Sequence, residues 1–537
     1  MQQEWGAPDA TAWLQASINL GSRTNQDNDK DAHSKVVEQK INHAMQTGSR
    51  GNTQAAINIL KPLLRERRYQ AAIHNNLGVL YNSQRQGGRG YRHFECALSI
   101  DPGYPDALIN AANHLCGKGQ YTEAEARYRL ALSQRSDCPK LLANYGHCLM
   151  ELNRLDEATA VLNQAISLSE ELTTAHFNLA CVCMMRGELD QAQVLLRQIT
   201  AVAPTAGAVQ RTLANCIRFT PDCPDLTNLK QAFKASAKKS PDRMHLAFAL
   251  GKAYEDMKQP LRAFRYTGIA NALLRNIRPY NSTIQKARFT SNLRLFNRSF
   301  HQRPIPESCQ SEQRIIFLVG LPRCGSTLVH QILSMHPDVK ACGESTALGN
   351  AILKEKARDI AANPQAIARI RDAYLEAHSN PGGVIVDKNL YNFYWAPLIQ
   401  KAFPRSTIIE IRRERFGHYW SMYKNYFSNG NEFTSSLEWI HEFAGLYQTM
   451  LNYWRQDLGL NIRDVCYEDL VSTPSDTIAQ LLELCGLSWH EDCMNHSRSS
   501  TPVRTASVYQ VRQSIYQSSA KGADLYAPLI AKNLPGS

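Results

Sequence analysis

These 537 residues lack three features: a long apolar run, a secretory signal and paired cysteines of the kind that bind zinc. No run of about 18 or more apolar residues occurs, so we expect no membrane span. The first residues, MQQEWGAPDATAWLQ, lack a basic stretch followed by an apolar one, so no secretory signal is predicted. No Cys-x-x-Cys pair occurs among the 14 cysteines, which we expect to be reduced and buried. These absences predict a cytoplasmic chain with no membrane partner.

The charge balance indicates an anionic ligand rather than a nucleic acid. The chain has 60 Lys and Arg against 48 Asp and Glu, a net charge of +12, and its 43% of apolar residues is typical of globular proteins. This moderate basic excess suits a polyanionic cofactor or an acidic partner, and we expect no nucleic-acid partner. The spacing of His490, Cys493 and His496 resembles a set of metal ligands. Because a fourth ligand is missing nearby, no metal site is predicted.

The first half contains an internal repeat of 34 residues. Three rows of positions recur at this interval. Small residues occupy Gly78, Ala112, Gly146 and Ala180, and large apolar residues occupy Phe94, Tyr128, Leu162 and Leu196. The third row contains Ala97, Ala131, Ala165 and Ile199. Small residues let two helices approach closely, and the large residue fills the groove between them. The spacing predicts helix hairpins and resembles the tetratricopeptide repeat. A solenoid of such hairpins usually offers a concave surface to a protein or peptide, although it could instead pack on the second half or mediate dimerisation.

Composition divides the chain into four parts. Residues 1–36 are polar and predict a flexible N-terminal tail, and residues 37–277 carry the repeat pattern of the solenoid. Residues 278–313 are basic and proline-bearing, which predicts a linker. Residues 314–537 are predicted to form an α/β domain. The sequence is silent on the oligomeric state.

The second half opens with a strand, a glycine-bearing turn and a helix. Residues 315–319 are apolar, the turn Gly320-Leu-Pro-Arg-Cys-Gly-Ser-Thr follows, and an amphipathic helix comes next. Backbone N–H groups at such a helix start bind a phosphate, so the turn is P-loop-like. A nucleoside triphosphatase would need a lysine where Ser326 stands, and the cation, Arg323, lies inside the turn instead. The turn therefore suits a triphosphate with Mg²⁺ poorly, whereas Arg323 and the backbone amides can still hold a smaller 5′-phosphosulfate group.

Further polar residues follow later strands of the same half. Lys388 comes after the apolar run GGVIV, and Arg413 follows a predicted strand over residues 407–411. Ser421 lies eight residues beyond Arg413, so the two side chains can hold one phosphate from two sides. Tyr467 follows a further strand. Alternating strands and helices predict a parallel sheet, and its ligands bind at the carboxyl ends of the strands, where all these motifs lie.

As an ordered set these motifs resemble the sulfotransferase superfamily and, within it, the tyrosylprotein sulfotransferase-like group that is often fused to tetratricopeptide repeats in bacteria. The motifs that carry the resemblance are PRCGST (322–327), HP (336–337), CGE (342–344), DK (387–388), Arg413 with Ser421, YEDLV (467–471) and the segment 502–519. The resemblance implies 3′-phosphoadenosine-5′-phosphosulfate as the donor, no metal, and a hydroxyl acceptor, with protein tyrosine preferred.

The resemblance also implies a role for each matching residue. The turn residues that it assigns to the 5′-phosphosulfate are Arg323, Cys324, Gly325, Ser326 and Thr327. Arg413 and Ser421 would bind the 3′-phosphate, and Tyr467 and Ser507 would line the nucleotide site. Glu344 would be the general base and Lys388 the cation at the bridging oxygen.

Several alternatives stay open on the sequence alone. The general base is Glu344 or a neighbour, because Ser345 stands where the eukaryotic group has a second carboxylate. His336 and His418 are less favoured bases, and Arg412 could replace Arg413 if the register is shifted by one residue. The acceptor is a tyrosine peptide, a small phenol or a carbohydrate. The chain could also be a non-catalytic tetratricopeptide scaffold with a degenerate nucleotide-binding domain, and a kinase-like phosphotransferase is disfavoured by the missing lysine.

Overall fold

The computed structural model describes residues 28–306, 309, 313–378, 383–428, 430–498 and 522–534. Contacts between residues divide the chain into two compact units. The N-terminal unit contains the chain up to Met184 and Leu189–Val202. The C-terminal unit contains Met185–Glu188 and the chain from Ala203 onward. Of the predicted tail of residues 1–36, residues 1–27 lie outside the described residues, and a helix begins at Asn28.

The N-terminal unit is built from helices that pair as antiparallel hairpins. These helices are α1 (Asn28–Ser49), α2 (Thr53–Leu60), α3 (Gln70–Ser83), α4 (Gly87–Ile100), α5 (Pro105–Gly117), α6 (Tyr121–Gln134), α7 (Pro139–Glu151), α8 (Leu155–Leu168), α9 (Thr173–Arg186) and α10 (Leu189–Val202). Two short 3-10 turns, Lys61–Arg65 and Arg67–Tyr69, separate α2 from α3. The two helices of a hairpin can pack closely because small residues of one helix face large apolar residues of the other, as the repeat predicts.

Gly78 and Gly146 show why the repeat needs small residues. A Cβ at Gly78 would lie 2.4 Å from the Phe94 ring, and one at Gly146 would lie 2.6 Å from Leu162. Phe94 and Leu162 are fully buried. Each glycine therefore lets its helix approach the partner helix closely enough for the large side chain to fill the groove.

Six further helices precede the sheet and belong to the C-terminal unit. They are α11 (Gly207–Cys216), α12 (Pro224–Ala235), α13 (Pro241–Asp256), α14 (Pro260–Ile277), α15 (Ser282–Leu295) and α16 (Arg298–Gln302). α13 and α14 form a hairpin in which a Cβ at Gly251 would meet Thr267 Oγ1 at 2.6 Å. The segment predicted as a linker holds α15 and α16, and the side chains of Phe289 in α15 and Phe300 in α16 are buried in the core on one face of the sheet.

The sheet has five parallel strands in the order β2-β3-β1-β4-β5. They are β1 (Arg314–Val319), β2 (Val339–Ala341), β3 (Val384–Asp387), β4 (Thr407–Arg412) and β5 (Ile462–Cys466). Ile315 of β1 pairs in register with Ile385 of β3, and Phe317 of β1 with Ile408 of β4. Because β1 is central, its carboxyl end lies between the ends of β3 and β4, which is where ligands bind in such sheets.

Helices cover both faces of this sheet. They are α17 (Ser326–Ser334), α18 (Ala347–Leu353), α19 (Ala357–Ala362), α20 (Pro364–His378), α21 (Ala396–Ala402), α22 (Arg415–Tyr423), α23 (Leu437–Asn452), α24 (Tyr467–Ser472), α25 (Pro474–Leu484) and α26 (Ala527–Ala531). Side chains of β1 alternate between two cores, with Phe317 on the face covered by α15 and Leu318 on the face covered by α17 and α25. Burial on both faces accounts for the continuous apolar run of β1.

The predicted fold class is confirmed: helix hairpins of the tetratricopeptide type are followed by an α/β domain with a parallel sheet. Within the described ranges, no helix combines the length and the apolar character that a membrane crossing needs.

Candidate functional site

The turn between β1 and α17 is shaped by two residues with left-handed backbone. Arg323 has φ = 69° and Gly325 has φ = 110°. A Cβ at Gly325 would lie 2.4 Å from Tyr467 Cδ2, so the turn packs directly against the tyrosine ring. Ser326 and Thr327 are buried and begin α17, whose first N–H groups have no partner within the helix. The turn therefore presents donors and a positive dipole end to an anion.

Cys324 is a structural member of this turn. Its side chain is buried, and burial raises the pKa of the thiol to about 11. A Cβ at Gly320 would lie 2.9 Å from its sulfur. The thiol is therefore protonated at neutral pH and fills the space beneath the turn.

Arg323, Arg413 and Ser421 lie together at the ends of β1 and β4. Arg323 Nε donates to Ser421 Oγ at 3.4 Å, and one terminal nitrogen of Arg413 donates to the Arg323 carbonyl at 3.0 Å. The Arg413 guanidinium also lies over the Tyr467 ring, 4.4 Å from its centre. The structure thus brings together four residues that the sequence analysis assigned to one nucleotide site.

One donor of this cluster is buried without a partner. Arg413 Nε has no hydrogen-bond partner among the described residues. A buried guanidinium nitrogen in that state is costly unless a ligand supplies an acceptor. The neighbouring Arg412 points elsewhere, because it pairs with Asp464 at 3.3 Å. The geometry therefore favours Arg413 over Arg412 as the anion-binding residue.

His418 holds the turn from behind and is not placed as a base. Its Nε2 donates to the Pro322 carbonyl at 2.8 Å. Burial and the nearby Arg413 charge lower the pKa of His418 to about 3, so the ring is neutral at physiological pH. The other histidine considered, His336, accepts from Asp338 N at 3.2 Å, and its second nitrogen donates to the Ser488 carbonyl at 3.1 Å. Both side chains are occupied by backbone contacts.

The neutral His418 makes stability depend on pH. Its unfolded pKa is about 6.5 and its folded pKa about 3, so only the unfolded chain takes up this proton between those values. We expect the contribution of His418 to be complete above pH 6.5 and to be lost progressively as the pH falls toward 3. Urea unfolding of the wild type and His418→Gln at several pH values measures this. The acid-side decline should be shallower in the variant, and parallel curves would contradict the assignment.

Glu344 and Lys388 form an ion pair at the ends of β2 and β3. Lys388 Nζ lies 3.2 Å from Glu344 Oε1. The lysine side chain is 6% exposed and the glutamate side chain 34%, so the carboxylate faces solvent while the cation is enclosed. Backbone bonds hold the two strand ends together, since Lys388 N donates to the Gly343 carbonyl at 2.8 Å and Cys342 N donates to the Val386 carbonyl at 2.9 Å.

Two buried groups around this pair, His330 and Asp387, were given no role in the sequence analysis, although Asp387 belongs to its DK motif. His330 Nε2 accepts from Gly343 N at 3.1 Å, and burial and the Lys388 charge lower its pKa to about 3. Burial raises the pKa of Asp387 to about 7, and its carboxylate accepts from Tyr374 OH at 3.2 Å. A single histidine on an apolar helix offers no signal in sequence. Asp387 does, because it precedes Lys388 at the strand end.

The two clusters lie at one edge of the sheet. β1 and β3 are adjacent parallel strands, and Gly320 N, which follows β1, donates to the Leu390 carbonyl beyond β3 at 3.5 Å. A cavity of about 610 Å³ lies on the β5 side of this edge, where both Arg412 and Arg413 line it together with residues of β5, α24 and α25. Glu344 and Lys388 are not among its lining residues. The two clusters therefore place the arginine-bearing turn, a solvent-facing carboxylate and an enclosed cation along a single edge.

Ser507 and the segment 502–519 lie outside the described residues. In the part of the chain that is described, no three His, Cys, Asp or Glu side chains are grouped so that they could hold a metal ion. His490, Cys493 and His496, whose spacing resembles a set of metal ligands, do not form such a group.

Comparison with known sequences identifies two families in this chain. Residues 315–491 match the Sulfotransferase family, and residues 115–168 match a tetratricopeptide repeat family. Among solved structures, a tetratricopeptide repeat protein from Parabacteroides merdae ATCC 43184 is similar to 47% of this chain and to 97% of its own, at 18% identity and a TM-score of 0.36.

Curated relatives match the chain at low identity. An uncharacterized protein of Aquifex aeolicus is 26% identical over 414 residues, which are 73% of this chain and 53% of that protein. A putative protein-tyrosine sulfotransferase of Caenorhabditis briggsae is 26% identical over 34% of this chain and 69% of its own length. Protein-tyrosine sulfotransferase 2 of Gallus gallus is 23% identical over 34% of this chain and 54% of its own. The chain thus spans about half the length of the first and third of these proteins.

Proposed function

Residues 315–491 form a sulfotransferase-family domain, and on this premise we propose that the chain transfers a sulfuryl group from 3′-phosphoadenosine-5′-phosphosulfate to a hydroxyl acceptor, with protein tyrosine preferred. The proposal rests on one arrangement of charged and polar side chains. Arg323, Arg413 and Ser421 converge at the ends of β1 and β4, and Lys388 pairs with Glu344 at the end of the neighbouring β3.

The anion cradle fits a donor that has phosphate groups at two places. The unpaired, buried Arg413 Nε needs an acceptor oxygen, and the turn at Gly325 leaves no room for a side chain against Tyr467. Arg413 and Ser421 would hold the 3′-phosphate, because an arginine and a hydroxyl contact one phosphate from two sides. Arg323 and the N–H groups that start α17 would hold the 5′-phosphosulfate. When bound, the donor would supply an activated sulfuryl group.

Lys388 and Glu344 are suited to the two charge changes of such a transfer. Sulfuryl transfer resembles phosphoryl transfer in its loose transition state, so positioning and charge stabilisation dominate. The enclosed ammonium of Lys388 would stabilise negative charge as it grows on the leaving phosphate. The more exposed Glu344 carboxylate would accept the proton of the attacking hydroxyl, a contribution typically of about 10²–10⁴ in rate.

The identity of the acceptor and the role of the repeats are part of the proposal. Two of the curated relatives carry protein-tyrosine sulfotransferase names, which supports a tyrosine acceptor for this chain. Tetratricopeptide hairpins commonly bind proteins or peptides, so we propose that the N-terminal helices recruit the acceptor or a partner of it.

Transfer of a labelled sulfuryl group tests the function directly. Purified full-length protein is incubated with ³⁵S-labelled donor and, in parallel, a tyrosine peptide, the same peptide with phenylalanine, a small phenol and a carbohydrate. We expect label on the tyrosine peptide only. Label on the phenol or the carbohydrate would support sulfotransfer and contradict the tyrosine preference. Donor binding without transfer to any acceptor, or to the proteins of a cell lysate, would instead support the non-catalytic scaffold.

A further inference from the structure

The helix that carries Ser421 is held by the last tetratricopeptide-like hairpin. Glu255, one residue before the end of α13, accepts from the indole Nε1 of Trp420 at 2.8 Å. Its two carboxylate oxygens also accept from Lys424 Nζ at 2.7 and 2.9 Å. Trp420 and Lys424 lie on either side of Ser421 along the chain. The Glu255 carboxylate therefore contacts Trp420, which immediately precedes Ser421, and Lys424, which lies three residues after Ser421 and just beyond the end of α22.

The second helix of the hairpin contacts the same segment. Phe264 of α14 stacks on Trp420 with ring centres 5.9 Å apart, and Asn271 Nδ2 donates to the Tyr423 carbonyl at 2.8 Å in a buried position. Farther along α14, Arg275 donates to the Ser435 carbonyl at 2.6 Å. The contacts run along the whole length of the helix and into the loop that follows α22.

These contacts matter because the Arg323–Ser421 contact has little tolerance. Arg323 Nε and Ser421 Oγ are 3.4 Å apart, near the limit of a hydrogen bond. A displacement of α22 by one ångström would remove it. Glu255 and Lys424 are each about one quarter exposed, so their ion pair is more strongly orienting than a fully solvated one. The charge-assisted bonds to Glu255 resist both sliding and rotation of α22.

We propose that Glu255 is a positioning residue for the donor site: it holds α22 so that Ser421 faces the Arg323 turn and the 3′-phosphate. The inference rests on the proposed function, because it assumes that Ser421 binds that phosphate. It assigns the α13–α14 hairpin to the donor site, whereas the sequence analysis assigned the repeats to partner binding, with packing on the second half or dimerisation as alternatives.

Nucleotide binding measures this role. The probes are 3′-phosphoadenosine 5′-phosphate and adenosine 5′-phosphate, which lacks the 3′-phosphate, and calorimetry gives the affinity of each for the full chain. Glu255→Ala should weaken the first nucleotide about fivefold or more and leave the second within about twofold. Glu255→Gln, which keeps an acceptor for Trp420 but not the charge for Lys424, should fall in between. In the transfer assay, KM for the donor should rise while kcat changes little.

A matched variant separates positioning from general loosening. Glu442→Ala removes a comparable carboxylate between α15 and α23, where it accepts from Ser282 OH and pairs with Lys286 at 3.4 Å. This variant should bind both nucleotides normally. Equal weakening of the two nucleotides in Glu255→Ala, or affinities within twofold of the wild type, would overturn the inference and leave the proposed function intact. A wild type that does not distinguish the two nucleotides would overturn the proposed function, and this inference with it.

Discussion

Glu344→Gln is expected to reduce sulfuryl transfer by at least about 10²-fold, because an amide oxygen cannot take the proton of the attacking hydroxyl. The change is nearly isosteric, and the amide still offers an oxygen to Lys388 Nζ, which lies 3.2 Å from Glu344 Oε1 in the wild type. Nucleotide affinity should therefore stay close to that of the wild type. Single-turnover transfer of labelled sulfate to a tyrosine peptide measures the rate, and calorimetry measures the affinity.

Two controls make the Glu344 result specific. Glu355→Gln alters a carboxylate of the same region that pairs with Arg369 at 2.7 Å outside the site, and it should transfer normally. Ser345→Ala tests the neighbour that stands where the eukaryotic group has a second carboxylate. Ser345 Oγ is engaged with His378 Nε2 at 3.0 Å, so we expect a smaller loss from this variant. Full turnover in Glu344→Gln would move the base to another residue.

The sequence predicts those parts of the fold that depend on local periodicity. The rows that contain Gly78 and Phe94 each recur every 34 residues, which indicates that the first position must be small and that the second must fill the groove. The structure places these two residues in contact. The apolar runs before Lys388 and Arg413 likewise predict strands, and parallel strands bring their carboxyl ends to one edge of a sheet. Strand ends therefore predicted the positions of Lys388 and Arg413, whereas Glu344 was assigned only through the resemblance to the sulfotransferase superfamily.

Contacts between distant segments were not predictable in this way. His418 bonds to Pro322 across 96 residues and Glu255 to Trp420 across 165, and neither pair has a spacing that a single sequence displays. His418 was considered as a base because histidines often serve that role, whereas its partner turned out to be a backbone carbonyl. The segment of residues 278–313 reads as a linker because it is basic and proline-bearing, yet Phe289 is buried in the sheet core. The average composition of a segment does not reveal a single residue, such as Phe289, that anchors the segment in a core.

Arg413→Ala is expected to weaken binding of 3′-phosphoadenosine 5′-phosphate at least tenfold. The Arg413 guanidinium has a buried Nε without a partner among the described residues and lies over the Tyr467 ring. Under the proposed function, its removal deletes the charge-assisted hydrogen bond that this Nε would donate to the 3′-phosphate. Such a bond contributes about 1.5–3 kcal/mol, and about 1.4 kcal/mol is a factor of ten. Calorimetry with this nucleotide and with adenosine 5′-phosphate measures the effect.

The adjacent arginine provides the control for this experiment. Arg412 differs by one position, carries the same charge, and pairs with Asp464 at 3.3 Å instead of facing the turn. Arg412→Ala should therefore leave the affinity within about twofold of the wild type, since a solvated charge that does not touch the ligand contributes little. In Arg413→Ala the preference for the 3′-phosphorylated nucleotide should collapse, because the variant lacks the guanidinium that we propose binds that phosphate. An unchanged preference, or a larger loss in Arg412→Ala, would remove the 3′-phosphate assignment and shift the register of the site by one residue.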